Sequence, residues 1–377
     1  MHDQQVAHIL HADNRNERRG FRAVGGEVMA CAAAFSNAHS EYFHTQQLIQ
    51  PMIDRAQWLA DQQNPSGLYD AGNLDSPPDT AFMVETLCKA QKLLQTDAQN
   101  ETEAVRSALR NIILKAGEGL LVGGVHTPNH RWGVCSALAQ INDLLPDQRY
   151  VRRIDEWLAE GIDVDSDGQW SERSPNYSAD VNNPSMLHMA LLLDRPELLD
   201  GVRRNLEMTV YHVEENGEVE TVASRRYDQS QRARKYVWEY YIPYRYLAII
   251  DKNGTFAAMA RRIERDFLPD LGSRVTTMNS VLVYLLEFPV MAEDLPPGNA
   301  LPNEYVKVFP ETKMVRIKRN DTTATIFSGS DWHAGFGVGS GLSTNPAFFK
   351  MRKGDVVLDS VRMTPHFFNT GFFLASV

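Results

Sequence analysis

The feature that most constrains this chain is a repeated pattern. Residues 53–70 read IDRAQWLADQQNPSGLYD and residues 154–170 read IDEWLAEGIDVDSDGQW. Each is an amphipathic helix ending in Trp-Leu-Ala-acid, followed by a short polar turn. Each then runs through a Ser/Pro/Asn-rich loop (NLDSPPDT, ERSPNYSADVNNPS) into a nearly all-apolar helix (AFMVETLCKA, MLHMALLL). A looser third unit is LRNIILKAGEGLL, the loop VGGVHTPNH and the helix RWGVCSALAQI, and a fourth runs from RRNLEMTVYHV to VWEYYIPYRYLAII. Helical hairpins with one amphipathic and one apolar member bury their apolar helices only by stacking side by side. The pattern therefore predicts a mainly α protein, an incomplete α/α toroid, with one family of loops gathered at one end.

The period changes near residue 300. AEDLPPGNALPNE, residues 292–304, clusters Pro296, Pro297, Gly298 and Pro302, a strong breaker. Beyond it, KMVRIKRN alternates Val315 and Ile317 with Arg316 and Lys318, which predicts a strand with one solvated face. TTATIFSG follows, and AFFKMRKGDVVLDSVRM reads as two strands joined at residues 352–355. The expected organisation is a toroid over 1–291, a linker over 292–304, and an antiparallel β-sheet or sandwich over 305–377. Only about 75 residues remain for that last part, so it is expected to be short or truncated.

Composition narrows the function classes. At 43% hydrophobic residues the chain has ample apolar mass for a core, and a net charge of −10 argues against a nucleic-acid binder. A polyanion would need a local basic cluster. Cys31, Cys88 and Cys135 lie in helical runs without metal-ligand spacing, so buried reduced thiols are expected and no metal site or cofactor. No apolar run reaches membrane-span length, and the first twenty residues show no apolar leader core. The expectation is a chain with no membrane association, cytoplasmic unless a leader precedes it. Oligomeric state is left open.

Three loops carry chemistry-bearing groups. HTPNHRW, residues 126–132, places Asn129, His130, Arg131 and Trp132 at a helix start near residue 130, an electropositive end suited to a carboxylate. The bland alternative makes Asn129 a helix N-cap and His130 a surface residue. DGQWSERSPNYSADVNNPS, residues 167–185, is a long polar loop carrying Arg173 and Tyr177. Its tyrosine equally suits a packing role with the hydroxyl in solvent. SRRYDQSQRARK, residues 224–235, holds Arg225, Arg226 and Tyr227 ahead of Arg232, Arg234 and Lys235, as an anion site or a solvated face. A Gly-rich stretch, residues 331–349 with His333, lacks the ending of a phosphate-binding loop and predicts a bulged strand pair.

In this order, HTPNHRW, DGQWSERSPNY and SRRYDQ resemble the heparinase II/III-like polysaccharide lyases, which include alginate and glycosaminoglycan lyases. The resemblance covers residues 50 to 377. It implies a toroid followed by antiparallel sheets, and β-elimination on an acidic, uronate-containing polysaccharide or oligosaccharide as the partner. It further implies that Asn129 meets the substrate carboxylate and that His130 is base or charge stabiliser. Tyr177 would be the general acid/base. Arg225 and Arg226 would bind acidic groups, with Arg131, Trp132, Arg173 and Tyr227 as further substrate contacts. Arg173 stands where a small residue is commoner in that family.

Such a reaction removes the weakly acidic proton at C5 of a uronate and expels the 4-linked oxygen. It needs neutralisation of the carboxylate, a base and an acid. Two rivals remain at this point. One is a toroidal glycoside hydrolase with paired carboxylates, drawn from Asp75, Asp79, Asp167 and Glu172. The other is a carbohydrate-binding protein without turnover.

Overall fold

The computed structural model describes residues 2–11, 20–72, 74–97, 100–226, 228, 235–269, 275–328 and 347–361. The helical part contains α1 (His2–His11), α2 (Phe21–Ser36), α3 (Ile49–Gln62), α4 (Pro77–Asp97), α5 (Glu103–Val122), α6 (Pro128–Leu144) and α7 (Gln148–Leu158). It continues through a helical turn α8 (Pro175–Tyr177), then α9 (Asn183–Leu192), α10 (Leu199–His212), α11 (Tyr241–Ile250), α12 (Gly254–Asp266) and α13 (Val275–Glu287). Before α4, β1 (Tyr69–Asp70) and β2 (Asp75–Ser76) form a small antiparallel ribbon.

The apolar members form the inner layer. α2 packs on α4, α4 on α6 and α6 on α9. The amphipathic helices α3, α5 and α7 cover them from outside. In α6 the run from Arg131 to Ile141 is buried throughout, because neighbours press on every side. In α7 only Tyr150 and Ile154 are buried, the spacing of a one-sided helix. α10 and α12 flank α11, and α13 touches α1, α2, α4 and α11. Cys31, Cys88 and Cys135 are buried and unbridged. Among the described residues no helix is long and apolar enough to cross a membrane.

The second part is a five-stranded antiparallel sheet in sequential order: β3 (Tyr305–Phe309), β4 (Met314–Arg319), β5 (Thr322–Phe327), β6 (Phe349–Lys353) and β7 (Val356–Val361). Its alternation misleads at β4. Arg316 and Lys318, expected to face solvent, are 1% and 6% exposed. Arg316 bonds the Glu214 carboxylate at 2.8 Å and Glu220 at 3.3 Å, and Lys318 pairs with Glu215. Lys350 reaches Glu220 at 2.9 Å and Arg352 reaches Glu218 at 2.7 Å. The polar face of the sheet thus docks on the acidic segment after α10. Those cations are buried because their counter-charges lie about a hundred residues earlier. The Gly-rich stretch with His333 falls outside the described residues, apart from its last three.

Candidate active site

The first side chains come from the start of α6. The helix begins at Pro128, two residues earlier than its composition suggests, with proline at a position where its missing N–H costs nothing. Thr127 is the N-cap, so Asn129 sits inside the first turn and is not the cap. Asn129 is fully buried, and its amide donates to Glu172 Oε2 at 2.6 Å and to Thr127 Oγ1 at 3.3 Å. In this structure the Asn129 amide is thus turned to Glu172 and Thr127.

His130 is half-buried, edge-on to His126 with ring centres 4.6 Å apart and to Phe82 at 6.0 Å. Burial lowers its pKa to about 4, with the neighbouring His126 and Arg226 acting in the same direction. His130 is therefore neutral near pH 7, a proton acceptor rather than an imidazolium. Phe82 can lie this close because Gly133 leaves room; a Cβ there would strike the Phe82 ring.

The next two residues turn the other way. Trp132 is fully buried and donates to Asp163 Oδ1 at 2.7 Å. Arg131 stacks on that indole at 4.1 Å and pairs with Glu160 at 3.0 Å and Asp163 at 3.2 Å. Both hold the loop after α7 in place. In this structure the Arg131 Nη atoms and the Trp132 indole N–H are engaged with Glu160 and Asp163.

The tyrosine loop is pinned from below. Gly168 has φ of 94°, and a Cβ there would overlap the Arg204 carbonyl. Trp170 donates to Asn183 at 3.1 Å, Asn183 to Asn205 at 2.9 Å, and Asn205 back to the Gly168 carbonyl at 2.8 Å. Arg173 takes a left-handed φ of 50° and donates to the Glu311 carbonyl at 3.0 Å, while the Thr312 N–H reaches Asp167 at 2.7 Å. Arg173 thus fastens the loop to the β3–β4 turn, a use its sequence position did not suggest. Ser174 caps α8, and the chain passes through a π-helical turn at Ser178–Asn182, a distortion frequent at functional sites.

Tyr177 and Arg226 meet across these loops. Arg226 Nη2 donates to the Tyr177 hydroxyl oxygen at 2.9 Å, and the guanidinium carbon lies 4.3 Å from the ring centre. Its Nη1 donates to Glu172 Oε1 at 2.6 Å. Glu172 is 1% exposed; burial raises its pKa, opposed by Arg226 and Asn129. Arg225 instead donates to the Ser171 carbonyl at 2.6 Å, bracing the tyrosine loop. Lys235, at the far end of the basic run, is buried between Asp180 and Glu239, each at 2.7 Å. Tyr227, Arg232 and Arg234 lie outside the described residues.

Three separate loops therefore supply one connected array: Asn129, Glu172, Arg226 and Tyr177, with His130 beside Asn129 on the same helical turn. Glu172 was read from sequence only as a hydrolase carboxylate. Its position two residues before the Ser-Pro-x-Tyr stretch carried no other signal. The remaining hydrolase carboxylates are engaged elsewhere. Asp75 binds Asn64 and Ser66, Asp79 binds Arg22 and Ser76, and Asp167 holds Thr312.

A helical toroid followed by an antiparallel sheet is an architecture this chain shares with solved polysaccharide lyases. Two solved structures share the fold. The xanthan lyase of Paenibacillus aligns with a TM-score of 0.59 at 10% identity, over 94% of this chain and 36% of that one. The chondroitin AC lyase of Streptomyces coelicolor A3, solved in complex with chondroitin sulphate, aligns with a TM-score of 0.54 at 13% identity, over 83% and 46%. This chain thus spans a third to a half of the length of those proteins. No family model matches the sequence, and no curated protein matches it.

Proposed function

We propose that this chain is a polysaccharide lyase that cleaves a uronate-containing acidic polysaccharide or oligosaccharide by β-elimination. The order of the three motifs favours the heparinase II/III-like group. The observation that carries the reading is the placement of Arg226, which bonds the Tyr177 hydroxyl and Glu172 at once.

In this reading Arg226 occupies a lone pair of the phenolic oxygen, leaving the hydroxyl proton to be given to the departing 4-linked oxygen. Negative charge developing on the phenol meets the guanidinium in a partly water-excluded site. His130, neutral at working pH, takes the C5 proton. Glu172 and Asn129 lie behind Arg226 and hold its plane. The substrate carboxylate faces the electropositive first turn of α6. In the alternative, Tyr177 performs both transfers: it starts as the tyrosinate beside Arg226, takes the C5 proton and gives it to the departing oxygen, and His130 is not required.

The test is an absorbance screen over alginate, heparan sulfate, chondroitin sulfate, hyaluronan, xanthan and ulvan-like polymers. A lyase product carries a new C4–C5 double bond that absorbs in the ultraviolet. New reducing ends without that absorbance would make the chain a hydrolase; sugar binding without turnover would make it a binding protein.

A further inference from the structure

Asp228 is 3% exposed and sits where two loops meet that are some fifty residues apart in sequence. Its Oδ2 accepts the Ser174 hydroxyl at 2.7 Å and the Asn176 N–H at 3.0 Å. Its Oδ1 accepts the Ser224 hydroxyl. Each serine then turns to the backbone of a residue in the array. Ser174 Oγ accepts the Tyr177 N–H at 3.2 Å, and Ser224 Oγ accepts the Arg226 N–H at 3.1 Å. The arrangement is two-armed. One carboxylate, through one serine on each side, fixes the main chain at Tyr177 and at Arg226.

We propose that Asp228 is the positioning residue that sets the separation of Tyr177 and Arg226, and so the geometry of the elimination. This rests on the lyase reading, but the geometric half does not. A carboxylate suits the task because it only accepts. Both serine hydroxyls must donate to it, which turns their own lone pairs toward the two N–H groups. An amide at this position brings an NH₂ face that repels one hydroxyl donor or reverses it, releasing one arm. Asp228 itself touches no substrate. Its effect reaches the reaction only through the 2.9 Å contact between Arg226 and Tyr177.

The test uses the full chain and compares Asp228→Asn, Ser174→Ala and Ser224→Ala. On whichever polymer the wild type cleaves, Asp228→Asn is expected to lower kcat by about 100-fold, the scale of an ångström-level misplacement, while KM changes less than about twofold. In a Tyr177→Phe background the same substitution is expected to cause no further loss, because its route runs through Tyr177. An equal loss in both backgrounds would overturn the proposal and leave Asp228 a general stabiliser. Each serine variant is expected to give part of the effect, and it serves if Asp228→Asn does not fold. Crystal structures of the variants read the geometry independently of turnover. A Tyr177–Arg226 contact that remains at hydrogen-bond distance in Asp228→Asn and in both serine variants would overturn the proposal. Separated side chains in a protein that cleaves no polymer would support the positioning role and sink the lyase reading alone.

Discussion

Arg226 covers the face of Tyr177 and, from the same guanidinium, donates to its hydroxyl oxygen at 2.9 Å. One planar cation thus restrains the ring and addresses the oxygen. A lysine could do only one of these.

Removing the phenolic oxygen isolates its chemistry from its packing. Tyr177→Phe is expected to lower kcat by about 10²–10⁴-fold, the range for a lost acid/base group, with little change in melting temperature. The ring still packs under Arg226, so the thermal midpoint should hold. A variant cleaving at the wild-type rate would remove Tyr177 from the mechanism.

The Arg226–Glu172 pair is buried, at 7% and 1% side-chain exposure, so breaking one side leaves a charge without its partner. Arg226→Met is expected to cost about 3–5 kcal/mol in urea unfolding. Adding Glu172→Gln should restore much of that stability but none of the activity. A double variant no more stable than the single one would show that the pair is not what the first substitution disrupts.

The acid limb of activity follows His130. Its pKa in the folded protein is lowered to about 4, so it stays a base well below the range of an ordinary imidazole. The fall of kcat/KM attributable to it is expected near pH 4 rather than near 6.5. His130→Ala should abolish that limb along with most activity. An acid limb near 6.5 that vanishes in His130→Ala would place its titration elsewhere than the burial argument does.

Stability should also decline toward acid through buried histidines. His212 is held down to about 3 by burial and the nearby Arg316, and His188 is well below its usual range by burial. Above about pH 6.5 these rings are neutral in both states and contribute no slope. Between that point and their lowered folded values the unfolded chain binds protons that the folded chain refuses. Stability therefore falls as pH falls, by up to about 1.4 kcal/mol per pH unit for each ring. Denaturant midpoints measured from pH 7 to 4.5 should drop less steeply in His212→Gln than in the wild type. Parallel slopes would discount His212 as a source.

Docking of the sheet depends on Arg316, whose partners are Glu214, Glu220, Thr325 and the Tyr211 carbonyl. Arg316→Met takes the guanidinium from Glu214, while Glu220 keeps Lys350, and is expected to destabilise by about 3–5 kcal/mol. Limited proteolysis should then cut first between residues 292 and 304. An unchanged cleavage rate there would mean that the sheet is held by other contacts.

Much of the architecture was legible because the hairpin pattern depends on local periodicity, which a single sequence displays. The site was legible in part. Tyr177 and His130 stand in motifs whose order can be matched. Glu172 could be picked out only as one of four hydrolase carboxylates and Asp228 not at all, since what distinguishes them is burial decided by loops tens of residues away. The same reason explains the error at β4, where a strand carrying Arg316 and Lys318 reads as half solvated until glutamates from another element are placed over it. The pairing of Arg131 and Trp132 with Glu160 and Asp163 was equally hidden, because adjacency to Asn129 in sequence does not show that they lie on a different face of α6.

The missing Cβ at position 133 carries a final consequence. Gly133 belongs to the packed interior of α6, yet what it admits is Phe82, and Phe82 is the wall beside His130. A methyl group added here would lie 2.5 Å from a carbon of the Phe82 ring, so the ring would have to shift. Because that ring lies beside His130, the shape of the proposed site is governed by an atom that is absent from the protein's interior.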